Sequence, residues 1–232
     1  MMYQVTFDPV KRSGMIAANA SFVSESDMGE VLDIFRDVIR TGLAVGSYFK
    51  VIECGSSFWG ITAKEGECVI LTPCSITIDG VLLKAGVPVR PTLGGIVQIK
   101  KGVPVRFTDI ITYEGSTIDP IDVLMSQEIA SVTDVIKTGT GSILANLRIV
   151  PMYARTRVEN VLDSLQSAGF DGVLFVSEPN TDVLGIPIER DHIGIVAIGG
   201  TNPVAVVQEQ GIPIHTYPLS ELVDIGEMET VV

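Results

Sequence analysis

The chain has 232 residues, of which 46% are hydrophobic, so it is long and apolar enough to bury a sizeable core. Its 28 acidic and 16 basic residues give a net charge of −12, and no basic cluster is longer than Lys100-Lys101. This balance excludes strong nucleic-acid binding by the chain alone, because each phosphate contact needs a cation.

The amino terminus and the cysteine usage predict the compartment. The first residues, MMYQVTFDPVKRSG, lack the uninterrupted apolar core of a secretion signal, and no stretch approaches the roughly 18 to 20 apolar residues that cross a bilayer. Cys54, Cys68 and Cys74 have no metal-binding spacing, and both histidines, His192 and His215, lie in apolar strand-like runs. We expect a cytoplasmic protein with reduced thiols, no metal and no cofactor.

The first elements are a strand and a helix. Residues 3–7 alternate in polarity and predict an edge strand, and GMIAANASFV (14–23) predicts a second strand. Ser24 or Ser26 can cap a helix over about residues 27–40, where the apolar side chains recur at helical spacing. Such a stripe is typical of a helix packed on a core.

The middle of the first half contains turns and strands. Residues 43–66 are interpreted as an insertion, and 69–90 is aligned with 173–190 as strand, polar elbow and strand. The pattern G-[V/I]-P-[V/I] predicts turns that lead into strands, because proline lacks a ladder donor. It begins at Gly86, Gly102, Gly185 and Gly211.

Two stretches predict a strand that enters a helix through a glycine loop. They are 108–124 and 192–207, which contain Asp119-Pro120 and Asn202-Pro203. Aspartate or asparagine suits the N-cap, and proline suits the first helical position, where its missing N–H costs nothing. We therefore predict that Asp119 and Asn202 cap two helices.

The chain then repeats itself. GSILANLRIV (141–150) repeats the pattern of residues 14–23, 127 positions later, and the helix that follows again ends at a glycine. We interpret this as a tandem duplication with copies at about 14–138 and 141–225. The predicted fold is a single α/β domain over 1–232, with mixed sheets, packed helices and two pseudo-symmetric halves.

The polar elbows and glycine loops are the candidate binding site. Free backbone N–H groups at a helix start suit a carboxylate or phosphate, and neutral Asn202 leaves its loop more open to an anion than Asp119 does. Arg90, between two prolines, is a candidate anion clamp. The predicted ligand contacts are Thr72, Cys74, Ser75, Arg90, Ser116, Thr117, Gly200, Thr201 and Asn202.

Several runs together resemble the regulatory domain of the NrpR-type nitrogen-responsive repressors of methanogenic archaea. They include TPCSITIDGVLLKAGVPVRPTLGG, GSILANLRIVP and GIVAIGGTNPVAVVQEQGI, and the resemblance extends from about Gly14 to Val223. The resemblance implies a non-catalytic effector domain that senses 2-oxoglutarate, oligomerises, and controls DNA binding by a separate winged-helix domain. We expect no counterpart of that domain here, because residues 1–13 are too short to form one. The chain is then either one regulatory domain of a longer repressor or a partner subunit that lacks the DNA-reading domain.

We therefore expect a small dicarboxylate to bind between the two copies and to change self-association, as a homodimer or a higher homo-oligomer. One alternative is an enzyme acting on a small acid, with Cys74 as nucleophile or Tyr113 as general acid. Another is an oligomerisation module whose glycine loops are only caps. No G-x-S-x-G or H-E-x-x-H motif favours the enzyme.

Overall fold

The computed structural model describes residues 1–231, with the side chains of 218–220 left out, so Val232, the last residue of the predicted domain, lies outside the described residues. The helices are α1 (Met28–Arg40), α2 (Ile76–Lys84), α3 (Pro120–Ser126), α4 (Val132–Thr138), α5 (Arg155–Ser167) and α6 (Asn202–Glu209). The first strands are β1 (Met15–Ser24), β2 (Tyr48–Ile52), β3 (Ser57–Phe58), β4 (Ile61–Thr62), β5 (Glu67–Pro73) and β6 (Arg90–Lys100). The later strands are β7 (Val103–Thr112), β8 (Gly141–Pro151), β9 (Val173–Val176), β10 (His192–Ile198), β11 (Ile214–Asp224) and β12 (Glu229–Thr230).

In the described part of the chain, ten of these strands form two five-stranded sheets, and β3 pairs with β4 alone. Sheet 1 has the order β11-β1-β5-β2-β12, and sheet 2 has the order β7-β6-β8-β10-β9. All the pairings in both sheets are antiparallel. The predicted α/β architecture with mixed elements is confirmed.

The two sheets exchange a strand. β11, the last long strand of the second half, pairs with β1 of the first half, and β6 of the first half pairs with β8 of the second. Each exchanged strand follows a helix, α6 before β11 and α2 before β6. Each sheet therefore takes a helix-strand pair from the opposite half of the chain, and the two halves are intertwined.

Both halves have the element order strand, helix, strand, strand, helix, strand when the β3-β4 pair, the segment β7-α3-α4 and β12 are set aside. The echoed segments 14–23 and 141–150 lie almost entirely in β1 and β8, which occupy the same place in their sheets. The registers of the exchanged strands agree too. His215 pairs with Phe22 in sheet 1, and Arg90 pairs with Ile149, the residue 127 positions after Phe22, in sheet 2. This is the arrangement that a duplication would produce, and the duplication stays a prediction.

The position of the insertion is a correction. Tyr48 and Glu67 begin β2 and β5, and they are as far apart in sequence as Val173 and His192, which begin β9 and β10. Residues 43–66 are therefore matched in the second half. The segment 103–138, which forms β7, α3 and α4, has no counterpart there. The insertion was placed wrongly because apolar content alone did not distinguish β2 from a loop.

Two alignments made from the sequence are wrong for the same reason. The elbow after β5 corresponds to the loop after β10, because both lead into a buried helix whose following strand crosses to the other sheet. It does not correspond to residues 177–180, and 108–124 does not correspond to 192–207. Local polarity at an elbow was misleading, whereas strand order identifies the equivalent loops.

Further differences are local. Residues 2–4 form a 3-10 helix where an edge strand was predicted over 3–7, because the amides of Thr6 and Phe7 both donate to one carbonyl, that of Met15. Asp27, not Ser24 or Ser26, is the residue before α1, and Ser24 donates to its carboxylate.

The cysteine prediction is also wrong in part, since Cys54 and Cys68 form a disulfide. Cys54 follows β2 and Cys68 lies in β5, and the antiparallel pairing of these strands brings the two sulfurs together. Cys74 is the free cysteine of the described residues.

The turn predictions are confirmed. The four glycines that begin the G-[V/I]-P-[V/I] pattern all have a positive φ, between 75° and 84°, which residues with a Cβ rarely adopt. They are Gly86, Gly102, Gly185 and Gly211.

Helix burial follows from the sequence pattern. In α1, Val31, Phe35 and Val38 are buried at helical spacing, and the first two pack with Val204 and Val207 of α6 over one face of sheet 1. In α2 the residues from Thr77 to Leu82 are all buried. α2 therefore lies inside the molecule, where its polar side chains need partners.

Candidate functional site

The two chain crossovers, from β5 into α2 and from β10 into α6, meet at the centre of the molecule. The amide of Cys74 donates to the carbonyl of Ala17 in β1, and the amide of Gly199 donates to the carbonyl of Leu144 in β8, both at 2.8 Å. The helix starts are tied to the same places. Thr77 Oγ1 bonds both the amide and the carbonyl of Ala17.

Asn202 takes the equivalent role in the second crossover. Its side chain accepts from the amide of Leu144 at 2.9 Å and donates to the carbonyl of the same residue at 3.1 Å. The residue before the helix is Thr201, and Asn202 is its first residue. The predicted N-cap role of Asn202 is therefore wrong, because its amide group is used to attach α6 to β8. Asp119, by contrast, caps α3 by accepting from the amide of Ile121, as predicted.

A cavity of about 360 Å³ lies where the crossovers meet. Its lining includes two asparagines at equivalent places in the echoed strands, Asn19 in β1 and Asn146 in β8. Both crossovers contribute to it, with Ser75 from the first and Gly200 from the second. We call this space the junction cavity. Its volume is within the range of about 300 to 1,000 Å³ that is usual for small-molecule sites.

Gly200 is required by close packing at the junction. A Cβ at this position would lie 2.5 Å from Asn19 Nδ2 and 2.9 Å from the carbonyl oxygen of Pro73. The equivalent residue in the first crossover is Ser75, whose Oγ is 3.3 Å from Asn146 Nδ2. The two ends of the junction cavity therefore differ, because one has a hydroxyl where the other has only backbone.

A buried ion pair lies at the Ser75 end. Arg148 of β8 and Asp79 of α2 are 2% and 0% exposed at their side chains, and Arg148 Nε lies 2.5 Å from Asp79 Oδ1. This contact lacks hydrogen-bond geometry, and a second contact, from Arg148 Nη2 to Asp79 Oδ2, is 3.5 Å long. A buried charge is costly unless it is paired, so loss of one partner alone would leave the other charge uncompensated.

Arg148 retains binding capacity. Its Nη2 donates to Ser75 Oγ at 3.2 Å, while its Nη1 is buried without a hydrogen-bond partner among the described residues. Thr201 Oγ1, at the other end of the junction cavity, is also buried and unpartnered in that part of the chain. Buried polar groups are normally satisfied, so these two point to a missing hydrogen-bonding partner.

A short network extends from this pair to the wall. Tyr113 donates its hydroxyl proton to Asn146 Oδ1 at 2.8 Å, and Asn146 Nδ2 in turn donates to Ser75 Oγ. Ser75 Oγ accepts from both Asn146 and Arg148, so its own proton is directed to another acceptor. The network therefore presents a fixed set of donors to the cavity.

The electrostatics favour the uncharged forms of Cys74 and Tyr113. Burial raises the pKa of the Cys74 thiol to about 12 and also raises the pKa of the Tyr113 phenol. Burial raises the pKa of Asp79 as well, while the Arg148 guanidinium acts in the opposite direction. Cys74 is therefore protonated near neutral pH and is a poor nucleophile, since the thiolate is the reactive form.

The predicted site residues fall into two groups. Four of them, Cys74, Ser75, Gly200 and Thr201, line the junction cavity. Thr72 is buried in β5 opposite Asn19, but it does not line the cavity.

The remaining predicted residues lie elsewhere. Arg90 is 56% exposed at its side chain and forms an ion pair with Glu189 at the surface. Ser116 and Thr117 are exposed in the loop before α3 and do not line the junction cavity. Asn202 is buried behind the cavity wall, bonded to Leu144. Arg90 was predicted as the anion clamp because it lies between two prolines. The structure places it at the start of β6, where its side chain is exposed to solvent.

The sequence interpretation missed Arg148, Asp79 and the two asparagines. A signal was present, since Arg148 is the charged residue in the apolar strand GSILANLRIV and Asp79 the charged residue in ITIDGVLL. A charge inside an otherwise apolar element indicates a buried partner. Asn19 and Asn146 are themselves part of the echoed pattern.

Other site classes find little support in the residues 1–231 that the structure describes. They contain no group of three or more histidine, cysteine, aspartate or glutamate side chains that could hold a metal ion. No helix among them is long and apolar enough to span a membrane.

Comparison with known proteins identifies the family. A family model described as the NrpR regulatory domains NRD1 and 2 matches residues 1–230. The global nitrogen regulator NrpRI of Methanosarcina mazei is 33% identical over 231 residues, which cover 100% of this chain and 71% of that protein. The global nitrogen regulator NrpR of Methanocaldococcus jannaschii is 31% identical over 99% of this chain, which spans 38% of that relative.

A solved structure agrees. The crystal structure of a nitrogen repressor-like protein from Methanococcus jannaschii has a TM-score of 0.84 and 29% identity. The match covers 100% of this chain and 94% of that one. The similarity in fold therefore extends over the whole chain.

Proposed function

Because this chain belongs to the family of NrpR regulatory domains, we propose that it senses a small-molecule effector for a nitrogen-responsive transcriptional repressor. The effector binds in the junction cavity. Its occupancy changes how the domain associates with other copies and so controls DNA binding through a separate winged-helix domain.

The buried guanidinium of Arg148 is the observation that carries this proposal. It lies in a cavity of suitable volume, and its Nη1 has no hydrogen-bond partner among the described residues. A guanidinium binds a carboxylate with two hydrogen bonds when two of its N–H groups face the ligand. Thr201 Oγ1 and the proton of Ser75 provide further polar contacts.

We propose 2-oxoglutarate, a small dicarboxylate, as the effector. One carboxylate binds Arg148, and the other lies toward the Thr201 end, where the amides of the second crossover begin α6. The position of the cavity explains how a small ligand acts on the whole domain. Both crossovers and both echoed strands line it, so occupancy affects the junction between the two halves.

An enzyme acting on a small acid is a weaker candidate. The proposed nucleophile, Cys74, is held in its thiol form by burial, and the phenol of Tyr113 is already bonded to Asn146. Neither group is prepared for proton transfer or covalent chemistry at neutral pH.

Titration calorimetry with 2-oxoglutarate, glutamate, glutamine and succinate tests the proposal. The parent chain should bind 2-oxoglutarate selectively and without turnover. The double variant Arg148→Met with Asp79→Leu should fold, because hydrophobic replacement of a whole buried ion pair is often neutral. It should bind at least about 10-fold more weakly, since hydrogen bonds to charged groups contribute about 1.5–3 kcal/mol.

Arg90→Ala is the matched control. It removes an arginine of the same sheet that lies outside the junction cavity, so it should leave affinity unchanged. Loss of binding in Arg90→Ala with retention in the double variant would place the site at the surface and refute the proposal.

A further inference from the structure

The junction cavity contains more negative than positive charge. Arg148 supplies one cation, and Asp79 and Asp119 supply two carboxylates. Asp79 is already in contact with Arg148. A dicarboxylate that enters this space therefore places further negative charge beside a cation that is already neutralised.

The geometry directs the ligand to the same guanidinium. Asp79 contacts Nε and Nη2 of Arg148, and Nη1 is left without a partner in the described residues. A carboxylate that pairs with Nη1 must share the guanidinium with Asp79. The two carboxylates are then close together in a buried space, where like charges repel strongly.

The repulsion between two carboxylates beside one buried cation is removed when one of them takes a proton. Asp79 is the one suited to it, because it is 0% exposed, so water does not stabilise its charge. On the basis of the proposed function, we propose that binding of a carboxylate effector at Arg148 is coupled to the transfer of one proton from solvent to Asp79.

The groups around Asp79 include one other carboxylate of the junction cavity, Asp119. β8 presents the Arg148 guanidinium, which has donors and no acceptor, and the segment before α2 presents Cys74, whose thiol is protonated. The chain after β7 presents Tyr113, a protonated phenol, and Asp119, which is occupied in capping α3. The other elements packed against α2 are the 3-10 helix Met2–Gln4, β1 and α5. They contribute Tyr3 and the Met1 amino group, uncharged Asn19, and Arg157, which donates to the carbonyl of Ala85.

The equivalent positions in the other half support a special role for this pair. Val204 lies 125 positions after Asp79, the offset between the starts of β5 and β10 at residues 67 and 192. Ser21 lies 127 positions before Arg148, the offset between residues 14 and 141. The equivalent positions at sheet 1 are therefore a valine and a serine, so the ion pair is not part of the repeated pattern.

Calorimetry of 2-oxoglutarate binding in phosphate and in Tris, at the same pH, tests the inference. The buffers differ in ionisation enthalpy, so the difference in observed heat counts the protons taken up. Over the pH range in which Asp79 is ionised in the free protein, the parent should take up about one proton per ligand, and its Kd should rise about tenfold per pH unit. Asp79→Asn should bind with no proton uptake and with a Kd independent of pH.

Asp119→Asn is the control, because asparagine also caps a helix and the variant removes the other cavity carboxylate. This variant should still take up one proton per ligand. Loss of proton uptake in Asp119→Asn, with uptake retained in Asp79→Asn, would overturn the inference. If Asp79→Asn does not fold, the parent measurement alone decides. Binding by the parent without proton uptake would overturn the inference and leave the proposed function intact, whereas absence of binding would overturn both.

Discussion

At the scale of single residues, the centre of this molecule depends on which side chains are small and which are charged. The two crossovers approach so closely that one of them needs a glycine, Gly200, against Asn19. The same contact in the other crossover accommodates Ser75, which becomes a cavity hydroxyl. The glycine at one of two equivalent positions thus allows close packing, while the serine at the other adds a hydroxyl to the cavity wall.

We expect Gly200→Ala to lower the free energy of unfolding by about 1–3 kcal/mol, the usual cost of overpacking. The added Cβ would lie 2.5 Å from Asn19 Nδ2 and 2.9 Å from a backbone carbonyl oxygen. Gly29→Ala in α1 is the control, since no atom lies within 4 Å of the place that its Cβ would take, and helical alanine is more stable than glycine by about 0.5–1 kcal/mol. Urea unfolding of both variants checks this prediction. If Gly200→Ala were as stable as the parent, the junction would be loosely packed.

At the scale of elements, the exchange of helix-strand pairs decides what can fold alone. Sheet 1 needs β11 from the second half, and sheet 2 needs β6 from the first. The helices α2 and α6 cross with these strands, and α2 is buried along most of its length. Neither half therefore completes a sheet or covers its own core.

We expect a chain cut between Ser116 and Thr117 to remain one folded complex. The cut lies in an exposed loop, and the strands that join the two fragments stay paired. Co-expressed fragments should elute together, whereas each fragment alone should show no cooperative unfolding by circular dichroism. Cooperative unfolding of either fragment by itself would mean that the exchange is not required for folding.

The sequence predicted the repeated strands but not the exchange. The pattern in 14–23 and 141–150 depends on local alternation, which a single sequence displays. The pairing of β11 with β1 joins residues about 200 positions apart, and no local periodicity encodes it. The site was partly predicted for the same reason. Glycines and hydroxyls at the loops were visible, whereas Arg148 and Asp79 come together only when α2 crosses to sheet 2.

At the scale of the whole molecule, the net charge decides whether the chain alone can bind DNA. The net charge is −12, and the longest basic cluster has two residues. We expect the isolated chain not to shift duplex DNA at physiological salt in an electrophoretic assay, because it lacks cations to replace the counterions of the phosphates. A salt-sensitive, sequence-specific shift would show that the chain contains its own DNA-reading surface.

The central claim is that one effector binds where the two crossovers meet. A crystal structure of the chain grown with 2-oxoglutarate tests it most directly. We predict electron density for one ligand in the junction cavity, with a carboxylate within hydrogen-bond distance of Arg148 Nη1. Ordered ligand at another place, with the junction cavity empty, would contradict the claim.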